Sequence, residues 1–225
     1  MKKKVIMIIC MIFILIGSIV YFNNKASIIK LRKPEVTGGE RGLLGIDKNI
    51  NESNIDKYLG RDDSVYMDMR MLKDPGNYEA IGGDSYLSGF IKGFEVLPYP
   101  YLTEVTNLPD EVGNSYQGKT LFRLEDGIYK PNYNESLDIL EYYFPKDKYI
   151  FLMCGGGGYA GMTKNLLVSL GWNEDKIYNV GGYWYYDGEN KIEVKRKVNN
   201  EVKYDFWKVN YHDIDFDNLE EVDSE

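Results

Sequence analysis

Cysteine followed by four consecutive glycines, Cys154 to Gly158, is the stretch of this chain best equipped for chemistry. A thiolate is a nucleophile and a soft ligand. Glycines reach left-handed backbone conformations without steric cost, so a run of them can turn successive N–H groups inward into a concave nest. Behind the glycines, Met162, Leu166, Leu167 and Leu170 are spaced for one face of a helix, and Gly171 stands where that helix would stop. Such a helix adds its positive N-terminal end to the nest. Donors so arranged are expected to pull the Cys154 thiol below its ordinary pKa of about 8.5 and make it nucleophilic near neutral pH.

Other readings of the same residues stand beside this one. Gly156, Gly158 and Gly161 match the G-x-G-x-x-G dinucleotide fingerprint, but four glycines in a row make that match cheap. Too little chain follows for a dinucleotide domain. Gly156 and Gly161 also have P-loop spacing, yet Met162 stands where the phosphate-reaching lysine is needed. The plainest alternative is a tight glycine turn beside a buried, inert cysteine.

The remaining reactive residues narrow the chemistry. The chain has two cysteines, Cys10 and Cys154, and a single histidine, His212. Cys10 falls in an apolar N-terminal run, so the rest of the chain can form neither an internal disulfide nor a cysteine-based zinc site. No metal and no cofactor is expected. A Cys–His dyad would have to recruit His212 from near the C-terminus, and a solvated surface position is the expectation for it. The chain carries 35 acidic against 27 basic residues, a net charge of −8, which argues against nucleic acid as a partner.

The elements that would position Cys154 follow from apolar patterning. Tyr149 to Cys154 is a short bulky apolar run, read as a strand buried on both faces. Ser64 to Arg70 reads as a strand ending in Asp68-x-Arg70, and Ile91 to Pro98 as a turn into another strand. Asn51 to Gly60 suggests a short capped helix, and Asn77 to Phe90 short helices and turns. Residues 99–133 form a less regular insertion. A helix capped by Asn134 runs to about Tyr143, and Asp175 to Val180 is a strand leading into Gly181-Gly182-Tyr-Trp184. Strands alternating with helices predict an α/β fold with a parallel sheet. The alternation on either side of Asn199-Asn200 predicts a β-hairpin within the C-terminal extension, residues 188–225, whose end is an acidic tail from Asp213.

The N-terminus reads differently. Three lysines precede residues 5–22, about eighteen nearly all-apolar residues, at the lower edge of what spans a bilayer. Residues 1–24 are read as an uncleaved membrane anchor, with cleavage and secretion as the alternative. The lysines favour a cytoplasmic start and a globular part outside the cell membrane. Residues 25–50 are read as a linker.

Several short motifs now stand in one order: Asp68-x-Arg70; Gly89 to Gly93 leading to Leu97-Pro98; Cys154 with its glycine loop; Leu170-Gly171-Trp172; and Val180-Gly181-Gly182-x-Trp184. In that order, over residues 51–187, the chain resembles the rhodanese-like sulfurtransferase family. The resemblance implies a parallel sheet with helices on both faces. It implies that Cys154 takes a sulfane sulfur from a small sulfur-containing anion, becomes a persulfide, and passes the sulfur to a thiol or other nucleophilic acceptor. It implies that Gly155, Gly156, Gly157, Gly158, Tyr159 and Ala160 supply the binding loop, and that Asp68 and Arg70 brace the fold. Phe90 stands where the family commonly has histidine. Active members usually carry a basic residue beside the cysteine or at the far end of the loop; Gly155 and Tyr159 occupy those places here. Two functions from different classes are therefore carried forward: a sulfurtransferase, and a catalytically weak or inactive binding module.

Overall fold

The computed structural model describes residues 29–37, 45–71, 87–106, 108–114, 116–193, 195–204 and 207–222. The expected membrane anchor and the expected short helices over residues 77–86 lie outside them. Among the described residues no helix is long and apolar enough to cross a membrane.

At the centre is a four-stranded parallel sheet. Its strands are β1 (Ser64–Asp68), β3 (Glu95–Val96), β6 (Tyr149–Cys154) and β7 (Ile177–Gly182), in the order β3-β1-β6-β7. The strand that carries Cys154 is thus flanked on both sides. Its register with β1 sets Asp68 opposite Met153. Because side chains alternate along a strand, Ile150, Leu152 and Cys154 enter one apolar cluster, while Phe151 and Met153 enter the other.

The two faces are covered unequally. The helices α1 (Tyr99–Leu102), α2 (Asp110–Gly113), α3 (Ser136–Tyr143) and α4 (Gly158–Ser169) all send buried residues into the cluster that holds Cys154. The opposite cluster is closed by single 3₁₀ turns at Ile55–Tyr58 and Tyr183–Tyr185 and by stacked aromatics. Tyr66, Phe151 and Tyr178 lie in a row there, with ring centroids 5.1 and 4.9 Å apart. Helices on both faces were expected; among the described residues α-helices cover one.

Three short antiparallel pairs surround the sheet. The hairpin β4 (Phe122–Glu125) and β5 (Ile128–Pro131) sits inside the irregular insertion. Strand β2 (Phe90–Ile91) pairs with β8 (Lys191–Ile192). The C-terminal hairpin is present as β9 (Lys195–Val198) and β10 (Glu201–Tyr204). Its two-residue loop, Asn199-Asn200, has φ of 52° and 65°, the left-handed pair that a twist-matched tight hairpin requires and that asparagine tolerates.

One expectation about the N-terminal part of the chain is corrected. The described parts of the supposed linker pack on the domain instead of standing off it. Ile46 and Ile50 are buried, the Asp47 N–H donates to the Asn179 carbonyl, and Arg32 accepts from the Tyr178 hydroxyl. The C-terminal segment, from just before the acidic tail, also packs on the domain. Residues 210–212 pair along the open edge of β3, and Val222 donates to Asn132. Covering a sheet edge in this way blocks pairing with another chain.

Candidate functional site

Cys154 ends β6 at the carboxyl edge of the sheet, where open α/β folds place ligands. The next three residues turn the chain sharply into α4. Gly157 makes that turn possible: at φ 103° it is the helix N-cap, in a conformation a side chain would strain. From there its N–H donates to Cys154 Sγ at 3.0 Å. The N–H groups of Ala160 and Gly156 also bear on the sulfur. The nest expected from the glycine run is therefore built, and it faces the sulfur.

Its electrostatic outcome differs from expectation. Burial pushes the Cys154 thiol up, and the Asp68 carboxylate adds to that, while the main-chain donors of Ala160, Gly157 and Gly156 pull it down. Burial wins. The residue is only 4% exposed and belongs to the apolar cluster under α4. The predicted drop below the ordinary thiol range does not occur, because the donors only partly replace the water lost on burial.

The loop is held from outside by Trp184, by Asn179 and by Gly182, whose N–H donates to the Glu52 carboxylate at 3.2 Å. Trp184 donates its main-chain N–H to the Gly155 carbonyl at 3.1 Å, and its indole packs against the loop. A Cβ on Gly155 would sit 2.5 Å from that ring, and one on Gly156 would sit 3.3 Å from it. Gly182 approaches so closely that its Cβ would lie 2.0 Å from the Gly155 carbonyl oxygen. That approach depends on a bulge. Between Asn179, opposite Leu152, and Gly182, opposite Cys154, β7 has one residue more than β6, and Gly181 takes it up at φ 94°.

Asn179 ties the bulge to the loop. Its amide donates to the carbonyls of Gly45 and Gly157 at 2.7 and 3.0 Å, and its carbonyl accepts from Gly181 N–H. It is 2% exposed. The signal for it was present in the sequence: one amide in the otherwise apolar run Ile177 to Val180, where a buried polar group must be fully bonded. Leu108, which packs 3.2 Å from the Cβ position of Gly158, had no such signal, since it lies in the irregular insertion.

Tyr159 is buried and stacks on Tyr99 with ring centroids 5.4 Å apart, so it packs the wall of the site. Asp68 and Arg70 form a buried pair, with Arg70 Nε 2.9 and 3.0 Å from the two carboxylate oxygens and Nη2 donating to the Gly89 carbonyl. Arg70 lies over the Tyr183 ring at 4.4 Å, on the cluster opposite Cys154. Its Nη1 and the Tyr183 hydroxyl are buried without a hydrogen-bond partner. Phe90 is buried in β2. His212 is not a solvated surface residue: it is half-buried and bonded to Glu95 on β3, two strands away from β6. Among the described residues no cluster of ligating side chains could hold a metal ion.

No protein-family model matches this chain, and neither curated proteins nor solved structures match it.

Proposed function

We propose that this protein is a rhodanese-like sulfurtransferase that moves a sulfane sulfur through a persulfide on Cys154. One observation carries the reading: the Gly157 N–H aimed at Cys154 Sγ, joined by the amides of Ala160 and Gly156, at the carboxyl end of the central strand. In the forward step the deprotonated Sγ attacks the outer sulfur of the donor. A new S–S bond forms, the donor's own S–S bond breaks, and the electron pair leaves with the remainder of the donor. The nest then holds the persulfide anion, and an acceptor thiol removes the outer sulfur by the same displacement. Catalysis here is main-chain stabilisation of charge as it develops, since the resting thiol is held neutral by burial. Asp68 and Arg70 brace the strand end next to the loop. The basic start and apolar run of residues 1–22 support tethering on the outer face of the cell membrane.

A second reading has its own observation. A thiol that is 4% exposed and pushed up by burial suits a loop that binds without turning over. One experiment separates them. Incubated with thiosulfate, polysulfide or an organic persulfide, the protein should gain one sulfur on Cys154 by intact mass, and Cys154→Ser should gain none. An unmodified wild type with every donor means the binding module is correct.

A further inference from the structure

The rim of the loop says what kind of donor would fit, on the reading that Cys154 carries sulfur. Cys154, Gly155 and Gly157 are buried, so the loop meets solvent at Gly156 and Gly158. Trp184 lies against the first and Leu108 against the second. No side chain can project from position 155 while the indole occupies its Cβ site at 2.5 Å. The loop, residues 155–160, carries no charged side chain. The nearby cations are committed elsewhere. Arg70 is bound to the Asp68 carboxylate through Nε and Nη2 and lies over the Tyr183 ring, and Lys164 is paired with Glu174 at 3.5 Å. The charge that bears on the sulfur is the Asp68 carboxylate.

We propose that Trp184 and Leu108 make this a site for organic hydropersulfides with an apolar substituent, and that thiosulfate is a poor donor. A dianion here would lose water without gaining a cation and would be repelled by Asp68. An alkyl or aryl group would instead cover the indole and Leu108, burying apolar surface on both sides. The step balances without a further reagent. Cys154 Sγ attacks the outer sulfur of R–S–SH, the donor S–S bond breaks, and the electron pair leaves on the inner sulfur. The thiol proton goes with it as RSH, and Cys154 becomes the hydropersulfide.

The test is single-turnover sulfur loading of the full-length chain, read by intact mass, with three donors at equal concentration. These are benzyl hydropersulfide and methyl hydropersulfide, both generated in situ, and thiosulfate. Wild type should load from the benzyl donor at least about tenfold faster than from the methyl donor, the factor that burying a ring's worth of apolar surface supplies. Thiosulfate should be slowest. Trp184→Ala should erase the benzyl preference, and Trp184→Phe should keep most of it. Trp184→Ala combined with Gly155→Arg, which opens the Cβ site and restores a cation, should gain on thiosulfate. Equal benzyl and methyl rates in the wild type, or thiosulfate loading as fast as benzyl, overturns the donor assignment and leaves sulfur transfer standing. Loading from none of the three overturns both.

Discussion

Two strand ends lie side by side at the carboxyl edge of this sheet, and they handle charge in opposite ways. At the end of β1, Asp68 is fully buried and its charge is answered by a charge, the Arg70 guanidinium bound through two nitrogens. At the end of β6, one hydrogen bond away through Met69 N–H to the Met153 carbonyl, the groups that favour a charged Cys154 are main-chain dipoles, set against burial and the Asp68 carboxylate. Cys154, by contrast, is held as a thiol, because burial outweighs its donors. Dipoles suffice to stabilise an anion that forms during a reaction but not to keep one at rest, because burial removes more solvation than three amides return.

The largest effect should come from breaking the charged end. Arg70→Ala leaves Asp68 buried and unpaired and should cost about 3–5 kcal/mol, measured by urea unfolding. A loss near zero would mean that the pair is not the brace described here. Next is Asn179→Ala, which strips partners from the Gly45 and Gly157 carbonyls and the Gly181 N–H. It should cost roughly 1–3 kcal/mol and slow sulfur loading in parallel, since Gly157 is the residue that turns toward Sγ. Gly155→Ala tests the neutral end by crowding. Its Cβ would meet Trp184 at 2.5 Å, and the expected loss is about 1–2 kcal/mol, relieved in the Trp184→Ala background.

The smallest effect is with pH. Burial raises the Cys154 pKa, so the folded state holds its proton to higher pH than the unfolded chain. Stability from the neutral thiol is complete below the unfolded value of about 8.5 and declines as pH rises above it toward the folded value. In a Cys10→Ala background, the alkylation rate of Cys154 should reach half its maximum above pH ~8.5. A midpoint at or below that value would mean that the nest outweighs burial and would dissolve the contrast between the two strand ends.

Much of the site was legible from residue types. The apolar run Tyr149 to Cys154 became the central strand, and the glycines became the turn that their backbone freedom allows. The periodic leucines became α4, and Gly171 ended it at φ 95°. Asn199-Asn200 produced the hairpin turn that the dipeptide favours. These are local properties, set within a few residues of chain. What was not legible depends on distant residues. Gly45 and Ile46, in a stretch that reads as linker, reach the loop through Asn179 and Gly157. Trp184 meets Gly155 from beyond the bulge in β7. The helices all gather on one face of the sheet, among the described residues, which alternation of strands and helices cannot specify.

By itself, then, the sequence determined that a thiol would stand at a strand end against a ring of amides, because that needs only a buried strand, four glycines and a helix. The packed structure alone decided the thiol's protonation and its surroundings. Solvent loss, the carboxylate of Asp68 and the indole of Trp184 all act on that sulfur or its loop through space, from segments far away along the chain.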